Sequence, residues 1–449
     1  MSLTYSKVLS KTFFINFLFS FIPISFIAGN LLLNTNILLI LLSSIIFYKQ
    51  AVFKEKFSTI DKLVIIFFIY ILCIGFYSSL VSYFTNNFDK DFTIVIKTLL
   101  YLRFLLLYFV LKYLIKNNII NFKVFFTTSA LCSIFVCLDI FYQFVFGKDI
   151  FGYKAIPRRL SGPFGDELIA GGYLQRFSIF AFFFPLFFKF NNRKIISIIF
   201  SILFCIIFLS LIFAGNRIPL VLFLIMLVLI FLFEKKTRKY FLVFIVVSSS
   251  IFLTTYNFNN DIKNHFSYFK KHITKTIFPF TAENAISTEV AKNFTENAQF
   301  SYIVIFDGKS YRIKSSHLKD LLSGYRTWKL NKYIGDGIKS FQFNCPKVFP
   351  NCSTHPHNYY LEILSNLGII GLLIFSSIIL IILYNSLFIK YFRKSHLNDN
   401  HIITPFIFLF LVELFPLKTT GSFFSTQNAT FILFLLSVII ALTQKKKLN

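Results

Sequence analysis

Charged residues are scarce in this chain: they make up 14% of its 449 residues, while 56% are hydrophobic. A soluble protein of this length carries about a quarter charged residues and has shorter apolar runs. Here, apolar runs near the roughly 20 residues that cross a bilayer recur along most of the chain. The scarcity of charge therefore excludes an ordinary soluble protein and indicates a protein embedded in a membrane.

Acidic residues are the scarcer kind, with 19 Asp and Glu against 46 Lys and Arg and a formal net charge of +27. In a soluble protein this excess would suggest a nucleic-acid partner. In a membrane protein the position of the basic residues matters more, because Lys and Arg concentrate in cytoplasmic loops. We therefore predict no nucleic-acid partner and use the basic clusters to orient the chain.

Cysteine is also rare, with six residues in all. Four of them lie inside apolar runs and are interpreted as packing residues. Cys345 and Cys352 lie in a long polar segment, where an oxidising compartment would let them close a small disulfide ring; two free thiols are the alternative. No second cysteine pair completes a metal-ligand pattern, so we predict no metal there.

Hydropathy and length predict about twelve membrane spans, which are helical because only a helix satisfies its own amides in lipid. The predicted spans are residues 13–29, 31–48, 63–84, 92–115, 122–146, 168–190, 195–214, 217–233, 239–256, 358–384, 402–417 and 429–443. The first resembles a secretory signal peptide, but a second span follows at once without a convincing cleavage site, so we interpret it as a retained helix. The predicted fold class is an all-α polytopic membrane protein.

Basic clusters flank these predicted spans on one side only. They precede the first span and follow the second, fourth, sixth, eighth, tenth and last, which predicts that both termini are cytoplasmic. The chain then divides into residues 1–256 with nine spans, a large outer loop at 257–357, and residues 358–449 with three spans. Alternating polar and apolar residues at 300–313, around Asp307-Gly308, predict a β-hairpin among short helices of that loop.

Several arginines fall at the outer ends of predicted spans or in the outer loop, where positive charge is disfavoured. They are Arg158, Arg159, Arg176, Arg217 and Arg326. The guanidinium group matches phosphate oxygens and stays charged, so a group of arginines on this face predicts a pyrophosphate site.

Each arginine also has a structural interpretation. Arg158 and Arg159 would contact membrane lipid phosphates, and Arg217 would anchor its helix at the interface. Arg176 lies too deep for such contacts, so an ion pair with Asp139 or Asp166 is its alternative. A further arginine, Arg103 in the fourth span, is interpreted as a structural partner or a lipid-phosphate contact.

Two histidines, His355 and His357, end the outer loop just before a predicted span. Histidine is the usual general base near neutral pH, and we predict that His357 has this role. A metal site is the alternative for the pair, but no nearby carboxylate or third histidine completes one. His357 is otherwise a helix-start residue that satisfies a backbone group.

The segment His357-Asn-Tyr-Tyr-Leu361, which leads into a glycine-containing span, resembles the His-Asn-x-x-Leu motif of the O-antigen ligase and polymerase superfamily. Gly215-Asn216-Arg217 is similar to the family's Gly-Ser-Arg motif, with Asn in place of Ser. The stretch from Arg159 resembles its Arg-x-x-Gly-x-Phe motif. The segments 323–328 and 334–341 resemble its Arg-x-x-x-Trp and Gly-x-Gly-x-x-x-Phe motifs, although only one residue separates Arg326 from the tryptophan.

The resemblance implies a metal-independent glycosyltransferase of the bacterial inner membrane, with no cofactor and a periplasmic active site. The donor would be an undecaprenyl-pyrophosphate-linked glycan, and the acceptor either a lipid A-core, as in a ligase, or a second lipid-linked glycan, as in a polymerase. Arg217 and His357 would be catalytic, and displacement at the anomeric carbon would invert its configuration. The substrate-binding residues would be Arg158, Arg159, Arg176, Arg326, His355 and Asn358.

Two other classes fit part of the sequence. A transporter or lipid flippase would also have many spans and buried arginines, but it would more often show internal repeats around a midplane site. A sensor or structural membrane protein would leave the outer arginines unexplained.

Overall fold

The computed structural model describes residues 10–235, scattered positions between 238 and 267, and residues 302–445. Gaps within these ranges are residues 53, 85–87, 157–158, 188–192, 236–237, 307–308, 314–315, 350–351, 394–396, 398–399 and 420. Most of the predicted loop before residue 302 therefore lies outside the described residues.

Helices dominate the described chain. As far as residue 235 they are α1 (Lys11–Ser20), α2 (Ile22–Ala28), α3 (Asn30–Tyr48), α4 (Thr59–Phe84), α5 (Phe88–Lys116), α6 (Phe122–Phe146), α7 (Ala170–Phe183), α8 (Arg193–Phe213) and α9 (Arg217–Phe233). From residue 302 there follow β1 (Tyr302–Phe306), β2 (Lys309–Ile313), α10 (Ser316–Trp328), α11 (Phe341–Asn344), α12 (Tyr359–Leu383), α13 (Ile389–Phe392), α14 (Ile403–Glu413) and α15 (Thr426–Gln444).

The predicted spans coincide with these helices except for 239–256, which lies largely outside the described residues. Six described helices are long and apolar enough to cross a bilayer, or seven if the bent pair α1 and α2 forms one span. That pair bends by 43° where Pro23 sits in the first turn of α2, a position that proline tolerates because no amide is needed there. The chain is therefore a multi-pass helical membrane protein, whereas the count of twelve spans stays a prediction.

The centre of the bundle is α15, whose residues from Asn428 to Leu442 are all buried. Aromatic rings join it to its neighbours: the ring centroids of Phe125 and Phe180 lie 4.9 Å apart, those of Phe180 and Phe406 lie 5.0 Å apart, and those of Phe406 and Phe434 lie 5.9 Å apart. These rings come from α6, α7, α14 and α15. The outer helices instead expose apolar side chains such as Leu31 and Val145, which suits contact with lipid.

At one end of the bundle, called here the loop end, the chain from residue 302 to 358 packs on the helix termini. The strands β1 and β2 pair in antiparallel register from Tyr302 and Ile313 to Phe306 and Lys309, at the predicted hairpin. Next to them, α10 packs through Leu318 and Leu322 onto a small core of Phe341, Cys345 and Phe349. Cys345 and Cys352 form a disulfide, which closes this core.

A kink in α12 holds the loop end to the bundle. Gly368 interrupts the helix with φ +65° and ψ −171°, which leaves backbone groups without helical partners. The preceding loop supplies the missing partners: the Gly337 amide donates to the Asn366 carbonyl at 2.8 Å, and the Ile369 amide donates to the Lys332 carbonyl at 2.9 Å. The glycines of the 334–341 segment are thus explained by backbone-to-backbone contact, since a Cβ on Gly335 would collide with residue 366.

Candidate functional site

The helix α10 brings an acidic side chain to the histidine of the predicted motif. The Oδ2 atom of Asp320 lies 4.0 Å from Nε2 of His357, and the His357 side chain is 39% exposed to solvent. The ring of His355 lies beside it, with centroids 4.1 Å apart. The Ser353 hydroxyl donates to the His355 carbonyl at 2.6 Å and lies 3.4 Å from the other Asp320 oxygen. The carboxylate is therefore held against the histidine segment.

The backbone fixes the position of His357 as well. His357 adopts φ +51°, which is uncommon for a residue with a side chain. The next residue, Asn358, caps α12 by accepting from the Leu361 amide at 3.1 Å, while its Nδ2 donates to the Pro416 carbonyl at 2.7 Å. Asn358, predicted to bind substrate, thus has both polar side-chain atoms engaged within the protein. This arrangement holds the turn that presents His357.

A close contact between α10 and the same turn depends on a glycine. A Cβ on Gly324 would lie 2.8 Å from Cβ of Pro356 and 3.2 Å from Cβ of Leu361. Only a residue without a side chain lets the helix approach this closely. His317, Asp320 and Gly324 follow the i, i+3, i+7 spacing of one helical face, so the face that touches Pro356 also carries the imidazole and the carboxylate.

Two of the predicted arginines reach this region. Arg159 is exposed and Arg217 is partly buried, and their positive charges lie close enough to interact. The pKa of His317 is lowered by loss of hydration and then by the positive charges of His357, Arg217 and Arg159, while Asp320 opposes the shift. His317 thus lies within electrostatic reach of all four groups. Arg158 lies outside the described residues.

The start of α9, which carries Arg217, is docked on α7 by its neighbour Asn216. The Asn216 amide group donates to the Leu168 carbonyl at 2.9 Å, and its Oδ1 accepts from the Gly171 amide at 3.1 Å. A serine side chain is too short to make both contacts in the same way. The Asn that replaces Ser in the family motif therefore positions the arginine by bridging two helices.

Arg176 lies in a buried ion pair. Its guanidinium group donates to both carboxylate oxygens of Glu413 and, at 2.6 Å, to Oδ1 of Asn428. Neither Asp139 nor Asp166, the partners considered from sequence, is the residue it binds. Glu413 also lies 2.7 Å from the Lys418 ammonium and accepts from the Tyr359 hydroxyl at 3.0 Å. This cluster around Arg176, Glu413 and Lys418, called here the buried hub, joins α7, α14 and α15 to the first residue of α12. The positive charge of Arg176 is therefore compensated within the protein.

Arg326 lies on the side of α10 that faces the disulfide core, with its guanidinium carbon 5.4 Å from the centroid of the Phe349 ring. The face that carries Asp320 is a different one. The geometry thus brings Arg159, Arg217, His355 and His357 together, and it places Arg176 and Arg326 in separate contacts.

Sequence reasoning missed His317 and Asp320. The histidine was set aside because it is 40 positions from His357 in sequence. The available signal was the amphipathic spacing of α10, which puts His317, Asp320 and Gly324 on one face. In the described part of the chain, no cluster of three or more His, Cys, Asp or Glu side chains has a metal-binding arrangement.

The arrangement suits a reaction in which negative charge develops beside a proton transfer. Two guanidinium groups offer planar donors to phosphate oxygens. The imidazole beside them offers a proton acceptor that is oriented by a carboxylate. These groups meet where α9, α10 and α12 converge at the loop end.

Residues 200–376 match the family model described as O-antigen ligase. No curated relative matches the chain. The matched range contains Arg217, α10 and the His357 motif. The match agrees with the resemblance read from the motifs: residues 200–376 are similar to the O-antigen ligase family.

Proposed function

We propose that the chain is an O-antigen ligase, which moves a glycan from undecaprenyl pyrophosphate to a hydroxyl of a lipid A-core. The observation that carries the proposal is the convergence of Arg159, Arg217 and His357 around α10. A polymerase would use the same chemistry with a second lipid-linked glycan as acceptor.

In this mechanism, Arg217 and Arg159 bind the donor pyrophosphate, together with Arg158, which precedes Arg159 in sequence. The acceptor oxygen attacks the anomeric carbon while His357 takes its proton. The bond from the anomeric carbon to the pyrophosphate oxygen breaks, and undecaprenyl pyrophosphate leaves with the negative charge, which the arginines stabilise. A single displacement inverts the configuration at the anomeric carbon. No step requires a metal ion.

The other predicted residues have supporting roles. His355 lies beside His357, with ring centroids 4.1 Å apart, and would contact the glycan there, while Arg326 supports the disulfide core through Phe349. Asn358 positions His357 through its helix cap. Arg176 supports the start of α12 through Glu413 and Tyr359 and contributes no direct contact to the pyrophosphate.

The orientation is part of the proposal. We infer about twelve spans with both termini in the cytoplasm of a bacterial cell, so that the loop end faces the periplasm. The disulfide at the loop end supports this side, because disulfides persist in oxidising compartments. Lipid-linked substrates would enter from the bilayer.

The proposal is tested by replacing His357 with Ala. Loss of the general base should reduce transfer roughly 10²- to 10⁴-fold, while the protein still inserts and unfolds at its normal temperature. His401→Ala is the control, since that histidine pairs with Glu234 in a different cluster. Full transfer by the His357 variant would remove it from the role of base.

The lipopolysaccharide of cells that lack the gene shows which acceptor the protein uses. A ligase defect leaves the lipid A-core without polymer while lipid-linked polymer accumulates. A polymerase defect leaves a core that carries one repeat unit. A flippase would instead show cysteine-labelling sites reachable from both sides of the membrane, which neither enzyme requires.

A further inference from the structure

A second polar cluster lies at the loop end, apart from the residues assigned above. Glu362 of α12 is 1% exposed, and its carboxylate accepts from the Ser422 hydroxyl at 2.6 Å and from the Phe423 amide at 2.6 Å. The Lys339 ammonium donates to the same hydroxyl at 2.9 Å. The chain segment before α11, the helix α12 and the turn before α15 therefore meet around one carboxylate.

Positive charge exceeds negative charge in this cluster. Lys339 interacts electrostatically with both Glu362 and Lys97, and Tyr101 interacts with both Glu362 and Arg103. Lys339 is the cation that interacts with Glu362 itself, while Lys97 lies near Lys339 and Arg103 lies near Tyr101, so three cations share this region with one carboxylate. A purely structural ion pair would need only one of them.

Two buried donors in this cluster have no hydrogen-bond partner within the described part of the chain. The Arg103 Nη2 group donates to the Thr426 hydroxyl at 3.1 Å, but its Nε and the Tyr101 hydroxyl are buried with no hydrogen-bond partner among the described residues. Buried donors are almost always satisfied in folded proteins, because leaving one unpaired is costly. Donors of a cation and a hydroxyl together point to an anionic oxygen ligand.

The backbone at Lys339 is strained in the same place. Lys339 has φ +67°, in the left-handed region that residues with side chains seldom adopt. Such strain clusters at ligand sites because it holds a side chain where the ligand needs it. Here it holds the ammonium against Ser422, toward the turn before α15 and the cations of α5.

The surface beside the cluster indicates where the ligand enters. Lys97 is exposed on α5, and its neighbours Ile96, Leu99 and Leu100 are 37%, 46% and 50% exposed. A helical face of apolar residues with a single cation suits the headgroup boundary of a bilayer. An anion bound here would be reached from the lipid phase.

We propose that Arg103, Lys339 and Lys97, with the Tyr101 hydroxyl, bind the phosphate group of a lipid. This site belongs to different elements from Arg159 and Arg217, so the protein has two phosphate sites at the loop end. Resting on the proposed function, the second site holds the acceptor lipid while the arginines beside His357 hold the donor. Glu362 and Ser422 position Lys339 for this contact.

The experiment measures binding without turnover. The full-length protein is placed in nanodiscs of phosphatidylcholine with increasing fractions of lipid A, a phosphorylated lipid of the acceptor class, and the rise of its unfolding temperature gives the apparent affinity. An Arg217→Gln background reduces binding at the donor site. In this background, Arg103→Gln and Lys339→Gln should each weaken the affinity about tenfold or more, since each removes a charge-assisted contact.

The matched control is Lys116→Gln, which removes the same charge from the far end of α5, where Lys116 pairs with Glu55. It should bind like the background protein. Equal affinity for all variants, or equal loss in Lys116→Gln, would overturn the site. Arg103 and Lys339 are both partly exposed, so the unfolding temperature of each variant without lipid reports its folding and each gives an independent reading of binding.

Two further measurements are needed. One distinguishes lipid phosphate from free phosphate as the ligand, and the other distinguishes failure of this site from failure of the proposed function. Inorganic phosphate in the buffer should not displace the lipid; full displacement would overturn a lipid site in favour of free phosphate. His357→Ala should bind the lipid phosphate like the unchanged protein, because the second site does not depend on transfer. If the unchanged protein binds the lipid phosphate at this site but transfers no glycan, the proposed function fails while the site stands.

Discussion

Asp320 and His357, on different segments of the loop end, face each other with 4.0 Å between Oδ2 and Nε2. At this distance the carboxylate makes no direct hydrogen bond and acts on the imidazole through its charge. Gly324 makes the pairing possible, since it lets α10 approach the turn before His357.

Asp320→Asn should lower kcat for glycan transfer roughly tenfold to a hundredfold, less than His357→Ala. Asp320→Glu keeps the carboxylate and should keep most of the transfer. An Asn variant with full transfer would make Asp320 a structural residue only.

Gly171→Ala and Gly172→Ala form a matched pair in α7. A Cβ on Gly171 would lie 2.7 Å from Cβ of Asn216, the residue before Arg217, whereas a Cβ on Gly172 meets nothing within 4 Å. Gly171→Ala should destabilise the protein by about 1–3 kcal/mol and reduce transfer by displacing Arg217. Gly172→Ala should leave transfer intact and raise stability slightly. Thermal unfolding and transfer assays of both variants check this order.

The buried hub of Arg176, Glu413 and Lys418 predicts an asymmetry in stability. Glu413→Gln leaves two buried cations without a counter-charge and should cost about 3–5 kcal/mol. Arg176→Met leaves the Lys418–Glu413 pair intact and should cost less. Thermal unfolding in detergent measures both. If Arg176→Met instead kept full stability and lost transfer, Arg176 would bind the donor after all.

His317 predicts a dependence of stability on pH. Loss of hydration and the nearby positive charges hold the pKa of His317 below its ordinary value in the folded protein. Below about pH 6.5 the unfolded chain therefore binds more protons at this residue, so stability falls as the pH drops through that value toward the lowered one. His317→Gln should show a smaller loss of unfolding temperature between about pH 7 and about pH 5. An identical loss in both proteins would contradict the assignment.

Much of the architecture could be predicted from sequence because lipid imposes a simple rule: an apolar run must be a helix of sufficient length. The hairpin at 302–313 followed from alternation around Asp307-Gly308. The bend between α1 and α2 was missed, since the effect of Pro23 on helix direction depends on what packs around it.

The candidate site was only partly predictable. Arg217 and His357 carry motifs, and the sequence by itself determined a helical membrane protein with cations and an imidazole near one end of its spans. Only the tertiary structure decided which charges meet. It paired Arg176 with Glu413, which is 237 positions away, and it brought Asp320 to His357 across a gap of 37 residues. Ion pairs form between neighbours in space, and neither helical period nor hydropathy encodes the docking of one helix on another.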